Sequence, residues 1–251
     1  MTELSTTTRG EGADWALIHG WGLHGGVWTE TAGALAADRR VTTVDLPGHG
    51  ASRGPVPSTL AGAAAEVAGA LPERTTLVGW SLGGLVALRL ALDFPERVEA
   101  LKLVAATPRF VTGADWPHAT PPGVLHDFAS DLAQDYRGTL LRFLALQARG
   151  SATAREDVRR LRERVFEHGE PDHEALARGL EWLAGSDLRP ELAGLAVPVH
   201  FIGGERDNLV PAAALEEAAG IAPQGRVTIL EGAGHAPFLS HPAAFREALD
   251  G

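Results

Sequence analysis

Short apolar runs alternate along the chain with longer stretches in which apolar positions recur every three or four residues. The short runs, bounded by turn residues, read as strands: Trp15–Ile18, Val41–Val44, Thr76–Val78, Ala100–Val104, Val199–Ile202 and Arg226–Leu230. Between them the helical spacing predicts helices over Trp28–Ala37, Leu60–Ala70, Leu82–Asp93, Ala212–Ala219 and Ala243–Leu249. Apolar strands alternating with amphipathic helices build an α/β fold, a mostly parallel central sheet covered by helices on both faces.

The alternation stops between Arg109 and Ser186. There the period is helical throughout, and four helices are expected, over Gly123–Gln134, Gly138–Ala148, Ala152–Phe166 and His173–Ala184. A strand-poor block inside a βα alternation is an insertion over one edge of the sheet. The expected organisation is a core of residues 1–108 and 187–251 with a helical lid, or cap, over 109–186. The lid would lie at the carboxyl ends of the strands, where open α/β sheets place their sites.

Composition narrows the function. A length of 251 residues with 45% hydrophobic residues suits one large α/β domain, or a domain carrying an insertion. The formal net charge of −10 repels phosphate backbones, so no nucleic-acid partner is expected. Cysteine is absent, which excludes disulfides, thiolate catalysis and cysteine-bound metal. The first dozen residues hold no apolar core of a signal peptide, and no apolar stretch reaches the ~20 residues of a membrane span. The expectation is a cytoplasmic protein without membrane association, monomeric by default.

The sharpest chemical signal is Gly79-Trp80-Ser81-Leu82-Gly83-Gly84, between a predicted strand and a predicted helix. A serine on such a turn needs unusual backbone angles and a close strand–helix approach, which Gly79 and Gly83 permit. Ser81 is the candidate nucleophile. It requires a base, and among ten histidines His235 stands just after the last strand, where the order Ser…Asp…His puts it. His19 and His49 lie in Gly-rich turns and suit structural bonding, while His241 suits a helix entry. Asp207, after the penultimate strand, is the candidate acid to orient His235, with Glu205 and Asp187 as rivals. An oxyanion hole is expected from the backbone N–H of Leu82 and of Trp21 in His19-Gly20-Trp21-Gly22, each donor being worth on the order of 3 kcal/mol.

Together with Asp45-Leu46-Pro47-Gly48-His49-Gly50-Ala51-Ser52, these elements resemble the α/β-hydrolase family over essentially the whole chain. Within it, His19–Leu23, Gly79–Leu85, Arg142-Phe143-Leu144-Ala145-Leu146-Gln147 and His235–Phe238 resemble the methyl ester esterases that act on pimeloyl-acyl-carrier protein in biotin synthesis. That resemblance implies hydrolysis of a methyl ester on a carrier-bound chain, with methanol released and no metal or organic cofactor. Trp21, Leu23, Trp80, Leu82, Phe128, Phe143, Leu209 and Phe238 are the candidate substrate contacts. From Arg137 to Arg164 eight arginines face three acids, and Arg155, Arg159 and Arg162 recur at helical spacing. An acidic carrier protein would dock on such a face, with Arg142, Arg155 and Arg159 as its contacts; a solvated face of internal ion pairs is the alternative. A broad short-chain carboxylesterase, a carbon–carbon bond hydrolase and an inactive hydrolase-fold receptor remain open at this point.

Overall fold

The computed structural model describes residues 4–147, 153–167 and 170–251. In chain order it runs β1 (Thr6–Arg9), β2 (Ala13–Ile18), α1 (Thr29–Leu35), β3 (Arg39–Val44), α2 (Leu60–Ala70), β4 (Thr75–Trp80), α3 (Leu82–Asp93) and β5 (Val98–Val104). Four helices follow: α4 (Pro122–Leu132), α5 (Tyr136–Gln147), α6 (Ala154–Val165) and α7 (His173–Gly185). The chain closes with α8 (Arg189–Leu192), β6 (Val199–Gly204), α9 (Ala212–Ile221), β7 (Gly225–Leu230), α10 (Pro237–Ser240) and α11 (Pro242–Asp250). No helix among the described residues is long and apolar enough to cross a membrane.

The seven strands form one sheet in the order β1-β3-β2-β4-β5-β6-β7, parallel except for β1, which pairs antiparallel with β3. Every residue of β4 and β6 is buried, as the two-sided cover of a parallel sheet demands. The sheet order reverses between β2 and β4, and that switch point opens a crevice at the strands' carboxyl ends. The turn after β2 and the turn after β4 flank it. These are the turns that hold Trp21 and Ser81.

The sequence pattern misses β1. Its residues, Thr6 to Arg9, are all exposed, so no apolar run marks an edge strand held by its ladder to β3. The helix expected over Trp28–Ala37 is shorter: a 3-10 turn occupies Gly25–Trp28 and the α-helix ends at Leu35. The predicted helix ends Ala148 and Ala152, and Arg149 of the arginine run, lie outside the described residues.

Among the described residues between β5 and β6 the regular elements are helices, after a loop over 105–121 that carries the isolated bridges Val111–Thr120 and Gly113–Trp116. Its two stems are tied together: Leu188 N donates to Pro108 O (2.9 Å), and Asp187 bonds both Arg109 (3.0 Å) and Arg189 (2.6 Å). Helices α5 and α7 seat directly on glycines of the core. A Cβ on Gly22 would lie 2.3 Å from Leu140 Cδ1, and one on Gly48 would lie 2.5 Å from Ala175 Cβ.

Candidate active site

Ser81 is the junction of β4 and α3, with φ 54° and ψ −119°. A non-glycine residue rarely adopts that region, and the strain persists because its surroundings fix it. Ser81 N donates to Val104 O (2.9 Å), while Ser81 O accepts from Gly84 N and Leu85 N. The flanking glycines are sterically required. A Cβ on Gly79 would stand 2.5 Å from Gly83 O, and one on Gly83 would stand 2.3 Å from His19 O. Gly83→Ala is therefore expected to push α3 off β2 at a cost of about 1–3 kcal/mol or more. Thermal unfolding should show a Tm lower by several degrees.

His235 and Asp207 come together from the loops after β7 and β6. His235 Nδ1 donates to Asp207 Oδ2 at 2.7 Å, with both side chains essentially buried. The other carboxylate oxygen, Oδ1, accepts from Leu209 N (2.8 Å) and Val210 N (3.0 Å), so the acid is held on both sides. Backbone bonds fix the imidazole too: Trp80 Nε1 donates to His235 O (2.8 Å), and His235 N donates to Gln147 O (3.3 Å) at the end of α5. With Nδ1 committed to Asp207, Nε2 is left as an acceptor. It is buried without a hydrogen-bond partner among the described residues. Ser81 and His235 line one cavity, and such pairs commonly draw into hydrogen-bond contact only when substrate is bound.

The rivals of Asp207 are occupied elsewhere. Asp187 belongs to the arginine clamp at the stems, and Glu205 Oε2 accepts from Gly232 N (2.9 Å). His19 and His49 serve the turns, and His241 stands at the N-cap position of α11 without a capping bond from its side chain. His19 Nδ1 donates to Gly20 O and its Nε2 accepts from Leu46 N, which only a neutral ring can do. Burial, reinforced by His49, holds the His19 pKa well below the usual histidine value. Burial likewise pushes His49 down to about 4. In the unfolded chain these rings would take up protons near pH 6.5, so stability is full above that pH and falls as pH drops toward about 4. A Tm series across that window should decline steadily; a flat profile would mean that these rings do not report on folding.

Trp21 and Leu82 are fully buried at the crevice. Leu82 is the first residue of α3, and neither its amide nor that of Trp21 is engaged by another group among the described residues. Helix α7 closes over both side chains through Gly179, whose Cβ would lie 2.7 Å from Trp21 Cδ1 and 3.0 Å from Leu82 Cδ2. Trp21 Nε1 donates to Leu176 O of the same helix (2.8 Å).

The narrow cavity between Ser81 and His235 has a volume of about 10 Å³ and is completed by Phe110, Thr120, Leu125, Phe143, Leu183 and Leu209. Of the candidate substrate contacts, Phe143 and Leu209 line it. Phe128 stands behind Phe143, edge to face at 5.2 Å. Trp21 packs on the other side of Phe143 at 4.8 Å. Trp80 and Phe238 pack on each other at 5.0 Å, with Trp80 beside His235 and Phe238 against Trp28, behind the base rather than on the cavity wall. Leu23 is core. Sequence reasoning missed Phe110, Thr120, Leu125 and Leu183, all from the segment between β5 and β6, where no motif marks them. Gln147, at the end of the run Arg142–Gln147, is buried, and both polar atoms of its side chain lack a partner among the described residues.

The arginines divide into two sets. Arg142 bonds Asp131 (2.9 Å) and approaches Asp135, Arg159 pairs with Glu156 and Glu163, Arg164 with Glu167, and Arg137 with Glu170. Acids outside the counted stretch thus neutralise much of its excess charge. Arg155 and Arg162 are exposed and have no ion-pair partner among the described residues.

A serine elbow, a buried Asp–His pair and two unengaged amides lie at one crevice. The profile of the alpha/beta hydrolase family matches residues 16–248. The chain belongs to the alpha/beta hydrolase family. It is 48% identical over 241 residues to the pimeloyl-[acyl-carrier protein] methyl ester esterase of Xanthomonas oryzae pv. oryzae, covering 96% of this chain and 94% of the relative. The protein of the same name from Stenotrophomonas maltophilia is 46% identical, over 96% of this chain and 92% of the relative. Among solved structures, an esterase from Exiguobacterium antarcticum superposes with a TM-score of 0.85 at 23% identity, covering 99% of this chain and 94% of that one. A hydrolase from Pseudomonas aeruginosa superposes with a TM-score of 0.82 at 28% identity, covering 98% and 92%. As an alpha/beta hydrolase with esterases as its near relatives, the chain is an ester-hydrolysing enzyme.

Proposed function

We propose that this enzyme hydrolyses the methyl ester of a pimeloyl chain carried on acyl carrier protein, the step it would serve in biotin synthesis. The observation that carries the reading is the near-full-length identity to esterases of that name, joined to a site whose Asp–His pair and serine elbow are intact. His235 Nε2 takes the proton of Ser81 Oγ as it attacks the ester carbonyl. The amides of Leu82 and Trp21 hold the developing oxyanion. His235 returns the proton to the departing methanol, and water then releases the acid. Asp207 keeps the Nδ1–H tautomer and stabilises the imidazolium, without itself taking the proton. No step calls for a metal or organic cofactor. Carrier-bound acyl chains are cytoplasmic, so this reading places the enzyme there, acting as a monomer.

The helices α4–α7 act as the lid. A cavity of about 10 Å³ has room for roughly one water, so an acyl chain enters only when the lid moves. The carrier docks on α6, where Arg155 and Arg162 offer uncompensated charge and Arg159 and Arg142 of α5 exchange exposed, solvent-screened pairs for the carrier's acids. The test compares the carrier-bound with the free methyl ester. Arg155→Glu/Arg159→Glu should lower kcat/KM for the carrier-bound ester by about tenfold or more at low salt and leave the free ester unchanged. Equal turnover of both esters by native and variant enzymes would make the arginines a solvated face and the protein a general esterase.

A further inference from the structure

The cavity beside Ser81 holds one polar side chain that the mechanism above leaves without a task, Thr120. It is 3% exposed and sits at the end of the loop excursion that begins at Phe110. Its backbone is fully engaged: Thr120 N donates to Phe110 O (3.0 Å) and Thr120 O accepts from Thr112 N (3.0 Å). Its hydroxyl proton is also committed, in a 2.6 Å bond from Oγ1 to Leu209 O. A hydroxyl has one proton and two lone pairs, so with its proton on Leu209 O, Thr120 Oγ1 can serve a further partner only as an acceptor.

That polarity matters for the second half of the reaction. We propose that Thr120 orients the water that hydrolyses the acyl-enzyme, an inference that rests on the acyl-transfer reading of this site. In that step the water oxygen bonds to the acyl carbon and one of its protons passes to His235 Nε2. The bond from the acyl carbon to Ser81 Oγ then breaks, His235 returns the proton to Ser81 Oγ, and the carboxylic acid leaves. The second proton of the water needs an acceptor of its own throughout. The polar side chains lining the cavity are Ser81, His235 and Thr120; Ser81 is esterified at this stage and His235 is the base. Thr120 Oγ1 supplies the remaining acceptor. A water held at such a site needs two or more polar partners.

A competing structural role has a different signature. Leu209 O accepts from Thr120 while Leu209 N donates to Asp207 Oδ1, so Thr120 also touches the loop of the acid. A residue acting through Asp207 would slow acylation and deacylation alike, because His235 is the base in both. Stopped-flow turnover of p-nitrophenyl butyrate separates them, with the burst reporting acylation and the steady rate deacylation. Thr120→Val should keep the burst rate within about threefold of native and lower the steady rate about tenfold, the loss of one hydrogen bond at the attacking water. Thr120→Ser, which keeps the hydroxyl, should deacylate like native. Burst amplitude counts competent sites, so partial misfolding does not distort either rate, and Thr120→Ala serves under the same criteria if the valine protein shows no burst. An unchanged steady rate in Thr120→Val, a parallel fall in both phases, or a serine variant as slow as valine would overturn the proposal. Failure of the native enzyme to form any acyl-Ser81 species by intact mass would instead sink the acyl-transfer reading itself.

Discussion

Ser81→Ala is expected to lower kcat by roughly five to six orders of magnitude while the protein folds normally. The substitution removes one oxygen and keeps the Cβ, so the backbone at φ 54° carries the same strain as before. The contacts that hold the elbow, from Ser81 N to Val104 O and from Gly84 N and Leu85 N to Ser81 O, are all main-chain and survive. What disappears is the atom that the proposed mechanism acylates. On the proposed mechanism, a residual rate over water would come from the Trp21 and Leu82 amides and from binding. Steady-state hydrolysis of the methyl ester, with Tm as the control, checks both halves of the expectation. Near-native turnover would mean that Ser81 is not the nucleophile.

Asp207→Asn should be the next most damaging change, with kcat about 10⁴-fold lower. The asparagine oxygen can still accept from Leu209 N and Val210 N, so the turn is retained. The atom facing His235 becomes a donor, and the imidazole answers by presenting Nδ1 as acceptor. Its proton then sits on Nε2, the atom that must receive the Ser81 proton. The defect is one of tautomer rather than of fold, so KM should move little while kcat collapses. Asp187→Asn and Glu205→Gln, at carboxylates bonded to Arg189 and to Gly232 N, should leave kcat within several-fold of native. A larger loss there than at Asp207 would reassign the acid.

The parallel core was legible because its strands are buried on both faces and its helices carry a regular apolar period. The elbow was legible because the close packing at positions 79 and 83 admits no Cβ, which leaves glycine there. The Asp–His pair followed from chain order, since the loops after β6 and β7 lie side by side only in such a sheet. Strand β1 was hidden because an exposed edge has no apolar signature. The cavity wall was hidden for another reason. Phe110, Thr120, Leu125 and Leu183 reach it from three places in the inserted segment, and their apolar or hydroxyl character is the same whether they face a substrate or a core. Gly22, Gly48 and Gly179 read as turn or helix residues in the sequence. Only the packed structure shows them as the contact points between core and insert. Charge counting over the arginine run failed where Asp131, Asp135, Glu167 and Glu170, just outside the window, supply its counter-ions.

The most direct test of the account is product analysis of pimeloyl-acyl-carrier protein methyl ester incubated with the purified enzyme, by intact mass of the carrier and by methanol assay. The account predicts that the carrier-bound chain loses its methyl group and keeps its thioester, with one methanol per carrier, and that Ser81→Ala abolishes both signals. Cleavage at the carrier thioester in place of the methyl ester, or methanol release that persists in Ser81→Ala, would contradict it.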